Sequence, residues 1–171
     1  MVKGTQPPMA HIIELNQAEF DLELYLSWLQ DIQDNKFIEA VRENYRKSDL
    51  QSYLESRINN PDVKFWGIFL ESRKFIGTIK LEPINWENKT AWLGIMIGDS
   101  SERGKGFGSQ ALNLVLDYAE NTLHLKVIFL GVHEKNTPAI RIYKKSGFEI
   151  CTVKDSKITM KKILNTLADF E

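Results

Sequence analysis

Hydrophobic positions in this chain fall in two patterns: short continuous runs, and segments where apolar residues return every three or four places. Thr90-Ala91-Trp92-Leu93-Gly94-Ile95-Met96-Ile97 and Lys126-Val127-Ile128-Phe129-Leu130-Gly131-Val132 have the first pattern and read as buried strands. Ala111, Leu112, Val115, Leu116 and Ala119 have the second and predict an amphipathic helix. Phe20, Leu24 and Trp28 predict another over Gln17 to Trp28. Ser48 or Asp49 can cap a helix that runs to about Asn59, ahead of Pro61. Further strands are expected at His11 to Leu15, Phe65 to Leu70 and Lys74 to Leu81, the last two joined at Ser72-Arg73. Trp86 to Lys89 makes the next connection, and Phe148 to Val153 with Ile158 to Lys162 reads as a closing hairpin. A short helix is expected from Pro138 to Ser146. Thr137 suits its N-cap, Gly147 its C′ position, and Phe148 can pack back onto it. Asp31 to Lys47 reads as loop with helical turns, and Ile163 to Glu171 as a short helix or frayed tail. Alternating strands and helices followed by an antiparallel pair predict an α/β domain, a mixed sheet with helices on both faces.

Length and charge narrow the picture. At 171 residues the chain fits one domain, taken as residues 11–171 behind a loose leader over 1–10 that carries Gly4, Pro7 and Pro8. A net charge of −1 without a dense basic run argues against a nucleic-acid partner. The lone Cys151 excludes an internal disulfide and a cysteine-ligated metal cluster, and its apolar surroundings suggest a packed thiol. No metal is expected. With no leader-like segment and no apolar run long enough for a bilayer, a cytoplasmic protein without membrane contact is expected.

Chemistry first shows between the run ending at Ile97 and the helix containing Ala111. Arg103-Gly104-Lys105-Gly106-Phe107-Gly108 places three glycines and two cations at a strand-to-helix turn. Glycines let backbone N–H groups converge, and a helix N-terminus adds unpaired donors and a positive dipole end. That is an anion site, usually for phosphate, or else simply a tight turn. The spacing does not make a Walker loop, which needs Gly, four residues and then Gly-Lys-Ser/Thr. It also fits the dinucleotide fingerprint poorly, because the third glycine comes one place early and the turn lies late in the chain.

A second segment about thirty residues on narrows the ligand. The first segment resembles the cofactor loop of the GNAT N-acetyltransferases, Arg/Gln-x-x-Gly-x-Gly/Ala, at Arg103, Gly106 and Gly108. The second resembles their Asn-x-x-Ala-x-x-x-Tyr-x-x-x-Gly-Phe pattern at Asn136, Ala139, Tyr143, Gly147 and Phe148. The resemblance covers roughly Phe65 to Lys162. It implies a mixed, mostly antiparallel sheet of six to seven strands, and acetyl-CoA as donor to a primary amine. It further implies that the run Arg103, Gly104, Lys105, Gly106, Phe107, Gly108 and Ser109 holds the pyrophosphate, Arg103 through a paired contact. Backbone groups of Met96 and Ile97 would meet the pantetheine amides in the gap between two diverging strands. Asn136 would either touch that arm or simply end its loop, and Ala139 would leave it room. Tyr143 would protonate the departing thiolate. For the base, Glu82, Glu134 and His133 stand where strands should end near the cleft, and a chain of waters is the alternative. His124, in a connection, reads as structural.

The acceptor rests on the first half. Tyr25-Leu26-Ser27-Trp28-Leu29-Gln30-Asp31 resembles the Trp-Leu-Asn-Asp stretch of ribosomal-protein-type N-terminal acetyltransferases and of a branch acting on nucleotide-linked amino sugars, with Gln30 replacing Asn. The run Ile76 to Trp86 resembles the amino-sugar branch more closely. Trp86 could stack on a sugar or base and Lys80 could meet a phosphate. Equally, Trp28 and Trp86 could pack the domain edge with Lys80 solvated. The expected substrate is a small amine, with a sugar nucleotide favoured over a protein N-terminus. A non-catalytic acetyl-CoA-binding module is the rival from another class. Homodimers occur in the resembled family.

Overall fold

The computed structural model describes residues 8–16, 20–31, 33, 36–38 and 44–165. Among these, the elements run β1 (Ala10–Glu14), α1 (Leu22–Gln30), α2 (Lys47–Ile58), β2 (Lys64–Leu70), β3 (Phe75–Asn85), β4 (Thr90–Ile97), a 3₁₀ turn (Ser100–Glu102), α3 (Phe107–Asn121), β5 (Val127–His133), α4 (Thr137–Lys145), β6 (Glu149–Lys154) and β7 (Lys157–Ile163). One seven-stranded sheet has the order β1-β2-β3-β4-β5-β7-β6. Every neighbouring pair is antiparallel except β4 with β5. No helix among the described residues is long and apolar enough to cross a membrane.

The sheet separates two apolar clusters, as helices on both faces require. On one face α3 buries Phe107, Ala111, Leu112, Val115, Leu116 and Ala119 against Ile68, Ile79, Leu81, Ala91 and Leu93, with Tyr143 and Phe148 at the α4 end. Removing a leucine-sized side chain from water contributes about 1.5–3 kcal/mol, so this face anchors the domain. On the other face α1 and α2 bring Tyr25, Trp28, Leu50 and Leu54 onto Phe65, Phe69, Phe75 and Met96. This second cluster draws its strand residues from β2, β3 and β4, and among the described residues no helix contributes to it over β5, β7 and β6.

Several expectations are corrected. α1 begins, within the described residues, at Leu22, because the Asp21 carboxylate accepts the Leu24 N–H at 2.9 Å and caps the helix there. Ala10, assigned to the leader, is 3% exposed, and its N–H donates to Gln110 Oε1 at 2.7 Å. Residues 1–7, 17–19, much of Asp31 to Lys47, and 166–171 lie outside the described residues. β3 runs on to Asn85 through a register shift between Leu81 and Ile84. The N-cap of α4 is Asn136 rather than Thr137. Cys151 is exposed rather than packed, since β6 is an edge strand exposed along its whole length.

Gly98 is where the two clusters constrain the end of β4. Its N–H donates to Ile76 O at 2.9 Å, and a Cβ there would lie 2.0 Å from Cδ2 of Trp28. Trp28 therefore lies flat on bare backbone. Gly98→Ala is expected to lower unfolding free energy by about 1–3 kcal/mol through overpacking. Urea denaturation measures this, and an unchanged midpoint would mean that Trp28 moves aside freely.

Candidate active site

β4 and β5 pair over three rungs only: Thr90 with Val127, Ala91 with Ile128 and Trp92 with Phe129. Beyond them β4 continues to Ile97 and β5 to His133, each still held by its other neighbour, β3 and β7. The sheet is therefore split by a gap that widens from Trp92 and Phe129. Gly98 N–H points at β3, so by strand alternation the backbone groups of Leu93, Ile95 and Ile97 face the gap. Those of Met96 face β3. Likewise Leu164 N–H bonds Lys126 O on the β7 side, which turns Gly131 and His133 toward the gap. Of the expected pair, Ile97 is thus at the gap and Met96 is not. Ile95, which sequence reasoning passed over, takes its place. Only the pairing direction of β4 could have revealed it.

The glycine loop closes one end of this gap. Gly104 and Gly106 adopt φ of 73° and 88°, the left-handed region that favours glycine. A Cβ on either would meet nothing within 4 Å, so the protein leaves the space above the loop open. Gly106 is the N-cap of α3 and offers no side chain to its first N–H groups. The first helical bond is Gln110 N–H to Gly106 O, which leaves the donors of Phe107, Gly108 and Ser109 to an outside acceptor. Gly108 differs: its φ is ordinary and a Cβ would make van der Waals contact with Ile97 at 3.5 Å.

The cations of the loop are engaged within it. Arg103 donates from Nε to Ile97 O at 2.8 Å and from a terminal nitrogen to Gly98 O at 3.2 Å. It thereby ties the loop to the end of β4. Lys105 Nζ meets Glu102 at 3.0 Å, and Glu102 is also bound by Lys74 at 2.8 Å. The hydrogen bonds to Lys74 and Lys105 lower the Glu102 pKa. The loop therefore presents backbone donors first and side-chain charge second.

Tyr143 enters the α3 side of the sheet through a helix-ending motif. Phe148 N–H bonds Tyr143 O at 3.0 Å and Gly147 N–H bonds Lys144 O at 3.0 Å, with Gly147 at φ 90°. This is a Schellman ending, and its apolar contact is the edge-to-face pair of Tyr143 and Phe148, 6.0 Å between centroids. Gly147 and Phe148 thus set the position of Tyr143. The ring is 9% exposed, and burial pushes its pKa up to about 12. Its hydroxyl has no hydrogen-bond partner among the described residues. Since no fully buried side-chain polar atom lacks one, the hydroxyl borders an opening. Ala139 lies one turn earlier, half-buried against the same core. Asn136 accepts the Ala139 N–H at 3.4 Å and donates its own N–H to His133 O, so it ends the loop and caps α4.

The candidate bases separate. Glu82 binds Arg57 at 2.8 Å and Lys80 at 2.9 Å. Partial burial would raise its pKa, but the hydrogen bonds and charges of Lys80 and Arg57 outweigh this and hold it below the usual carboxylate range. Two cations make it a poor proton acceptor. Glu134 is exposed, and its N–H is turned to Ser156 O on β7. His133 shares its face with Phe129 and Gly131 and stacks on Phe37 at 5.2 Å, while its Nδ1 accepts the Lys135 N–H at 3.1 Å. Its Nε2 is the nitrogen left for other work.

The acceptor candidates also part company. Trp28 is 6% exposed and packs on Phe75 at 5.0 Å, so it is a core residue. Trp86 is exposed, but it follows β3 at the closed end of the gap, and its Nε1 donates to Pro61 O and Asp62 Oδ1. Trp86 thus stands away from the opening, while Trp28 covers Gly98 at the end of β4. Lys80 borders the gap: its chain passes over Gly94, with Cε 3.2 Å from where a Cβ would stand. Its Nζ donates to Tyr53 Oη at 2.8 Å. Partial burial would lower its pKa, yet Tyr53 and Glu82 raise it, so the ammonium stays charged.

Gly106→Ala is expected to weaken acetyl-CoA binding at least about tenfold, because both φ and the open space favour glycine. Gly108→Ala should change it less than about threefold. Calorimetric titration of the two folded variants checks the contrast, and equal affinities would overturn this account of the loop.

Comparison with known proteins agrees with this geometry. The model of the acetyltransferase (GNAT) domain matches residues 12–149. The chain is 34% identical over 96 residues to the probable N-acetyltransferase YjcK of Bacillus subtilis, a match spanning 55% of this chain and 52% of that protein, about half its length. It is 27% identical over 126 residues to the spermidine N(1)-acetyltransferase of Vibrio cholerae, covering 72% of each. Among solved structures, spermidine N-acetyltransferase from Vibrio cholerae in complex with CoA and spermine superimposes with a TM-score of 0.76 at 19% identity, covering 93% of this chain and 96% of that one. Campylobacter jejuni N-acetyltransferase PseH gives a TM-score of 0.70 at 16% identity, covering 92% and 100%. The split sheet, the glycine loop at its end and the domain match lead to one conclusion: this chain belongs to the GNAT acetyltransferase family, whose acetyl donor is acetyl-CoA.

Proposed function

We propose that this chain moves an acetyl group from acetyl-CoA to a primary amine that reaches the gap from the α1/α2 side. The observation that carries this reading is the gap itself. It has backbone donors and acceptors along both edges, the open glycine loop at one end, and Tyr143 on the α3 side. The backbone donors of Phe107, Gly108 and Ser109 hold the pyrophosphate, and Ile95 with Ile97 align the pantetheine arm. The amine nitrogen bonds to the carbonyl carbon, the C–S bond breaks, and the surplus proton of the amine leaves to His133 or to water in the gap.

The role of Tyr143 follows from its pKa. A phenol raised to about 12 keeps its proton at any physiological pH. A free thiol titrates near ~8.5, so complete transfer to a finished thiolate would run uphill by about 5 kcal/mol. The phenol therefore keeps its proton and acts as a hydrogen-bond donor to sulfur, stabilising the thiolate as the C–S bond breaks. A buried phenol whose hydroxyl has no hydrogen-bond partner among the described residues supports the catalytic reading over a non-catalytic acetyl-CoA-binding module.

For the acceptor, the wall beside the gap is informative. Arg57, Lys80 and Glu82 together carry a net charge of +1 there. Such a wall repels a polycation and favours an amine that also bears an anionic group, in line with a nucleotide-linked amino sugar. The second reading is a polyamine, supported by the spermidine acetyltransferases among the relatives. A protein N-terminus has no specific feature in its favour.

Incubation with acetyl-CoA and each amine class, with acetylated product read by mass spectrometry, decides among these. Acetylation of spermidine in preference to the anionic amine would reverse the assignment. Tyr143→Phe is expected to lower kcat about 100-fold or more, with KM for acetyl-CoA changed less than about threefold. The wild-type rate should rise with pH as the amine loses its proton, without an alkaline fall below about pH 10. A variant with wild-type kcat across that range would remove Tyr143 from the mechanism.

A further inference from the structure

The half of the sheet beyond α1 and α2 carries an aromatic pair. Trp92 and Phe129 form the last rung before the gap, and both side chains stand on the α1/α2 face. Their rings stack at 5.6 Å with 28° between planes, and Trp92 is 42% exposed. Neither belongs to the two apolar clusters. They stand at the vertex of the opening through which the acceptor amine must reach the acetyl group.

A cation flanks the pair on each side. Lys80 lies over Gly94, the next residue along β4 on this face, its ammonium held by Tyr53 and Glu82. Lys161 stands directly opposite Phe129 on β7, about 5 Å away at Cβ for such a pair. Lys161 forms no ion pair among the described residues, although Glu149 on β6 is its register partner. A flat apolar surface between two ammonium groups fits a ligand that combines a planar ring with negative charge. An aliphatic polycation would gain cation–π attraction from the rings but meet repulsion from Lys161, the Lys80 charge being offset in part by Glu82.

We propose that Trp92 and Phe129 are the platform on which a nucleobase of the acceptor stacks, with Lys161 and Lys80 meeting its phosphates. This rests on the reading that the acceptor enters from the α1/α2 side, and it names the acceptor class as a nucleotide carrying an amine. Stacking on an aromatic ring tolerates any base, so the platform selects nucleotides as a class. The phosphates add a salt-dependent attraction.

The test uses the whole chain saturated with CoA, so that a nucleotide cannot bind at the donor site, and UMP as the probe. Calorimetry should show UMP binding to the wild type. Trp92→Ala should weaken it about tenfold or more, and Trp92→Phe, which keeps a ring, less than about threefold. Lys161→Ala should weaken it severalfold at low salt and flatten its salt dependence. Both side chains are partly or largely solvent-facing, so the variants should fold, and unchanged CoA affinity verifies that they do. No UMP binding by the wild type, or binding that Trp92→Ala leaves intact, overturns the proposal. So does spermidine binding that Trp92→Ala abolishes, or a wild-type dimer that Trp92→Ala turns into monomers. UMP binding needs no acetyl transfer. Failure of the platform therefore leaves the acetyltransferase reading standing, and a chain that binds UMP but acetylates nothing would refute only that reading.

Discussion

The rest of the molecule depends on a row of backbone groups in mid-sheet that no strand satisfies. Unpaired N–H and C=O groups are costly wherever water is excluded, and a sheet normally removes them by pairing. Here β4 is held by β3 as far as Ile97, and β5 by β7 as far as His133. Neither strand can swing across to close the gap without breaking its other ladder. The register shift in β3 between Leu81 and Ile84 lies across from the rung where pairing stops, and such irregularities increase local bend and twist. The gap is thus locked open by the pairing around it. Its free edges suit an extended ligand that carries its own amides.

The two faces of the sheet give the two ends of this opening different chemistry. The α3 face is apolar and closely packed, and it holds Tyr143 through the Gly147-Phe148 ending of α4. Burial there keeps the phenol protonated. The α1/α2 face is apolar over β2 to β4, and beyond that it carries Trp92 and Phe129 with Lys161 beside them. In the proposed reaction donor and acceptor approach from opposite sides and meet within the split.

Three cations near the gap are fixed by short local contacts before any ligand arrives. Arg103 is held by the Ile97 and Gly98 carbonyls, Lys105 by Glu102, and Lys80 by Tyr53 and Glu82. Pre-positioned groups lose little further freedom on binding, which favours both affinity and geometry. The same contacts explain why Glu82 is unsuited to accept a proton, although its place at the end of a strand made it a natural candidate.

Local signals were legible in the chain itself. The glycines at 104 and 106, the helix behind them and the Gly147-Phe148 ending each depend on backbone conformation over a few residues, so local order alone determined them. So did the two-layer pattern of apolar positions, and with it a sheet covered on both faces. What the tertiary structure alone decided is which residues share a face and which strand each backbone points to. Trp28 and Trp86 look alike in the chain, yet one is core and the other stands at the closed end of the sheet. Cys151 sits in an apolar run but on an uncovered edge. Ile95 rather than Met96 faces the gap because β3 claims every second residue of β4. Trp92 and Phe129 are some 37 positions apart, and only the parallel pairing of β4 with β5 brings them together at the vertex of the gap. Sequence records what each residue can do within its own turn or strand; strand order and register decide what it stands beside.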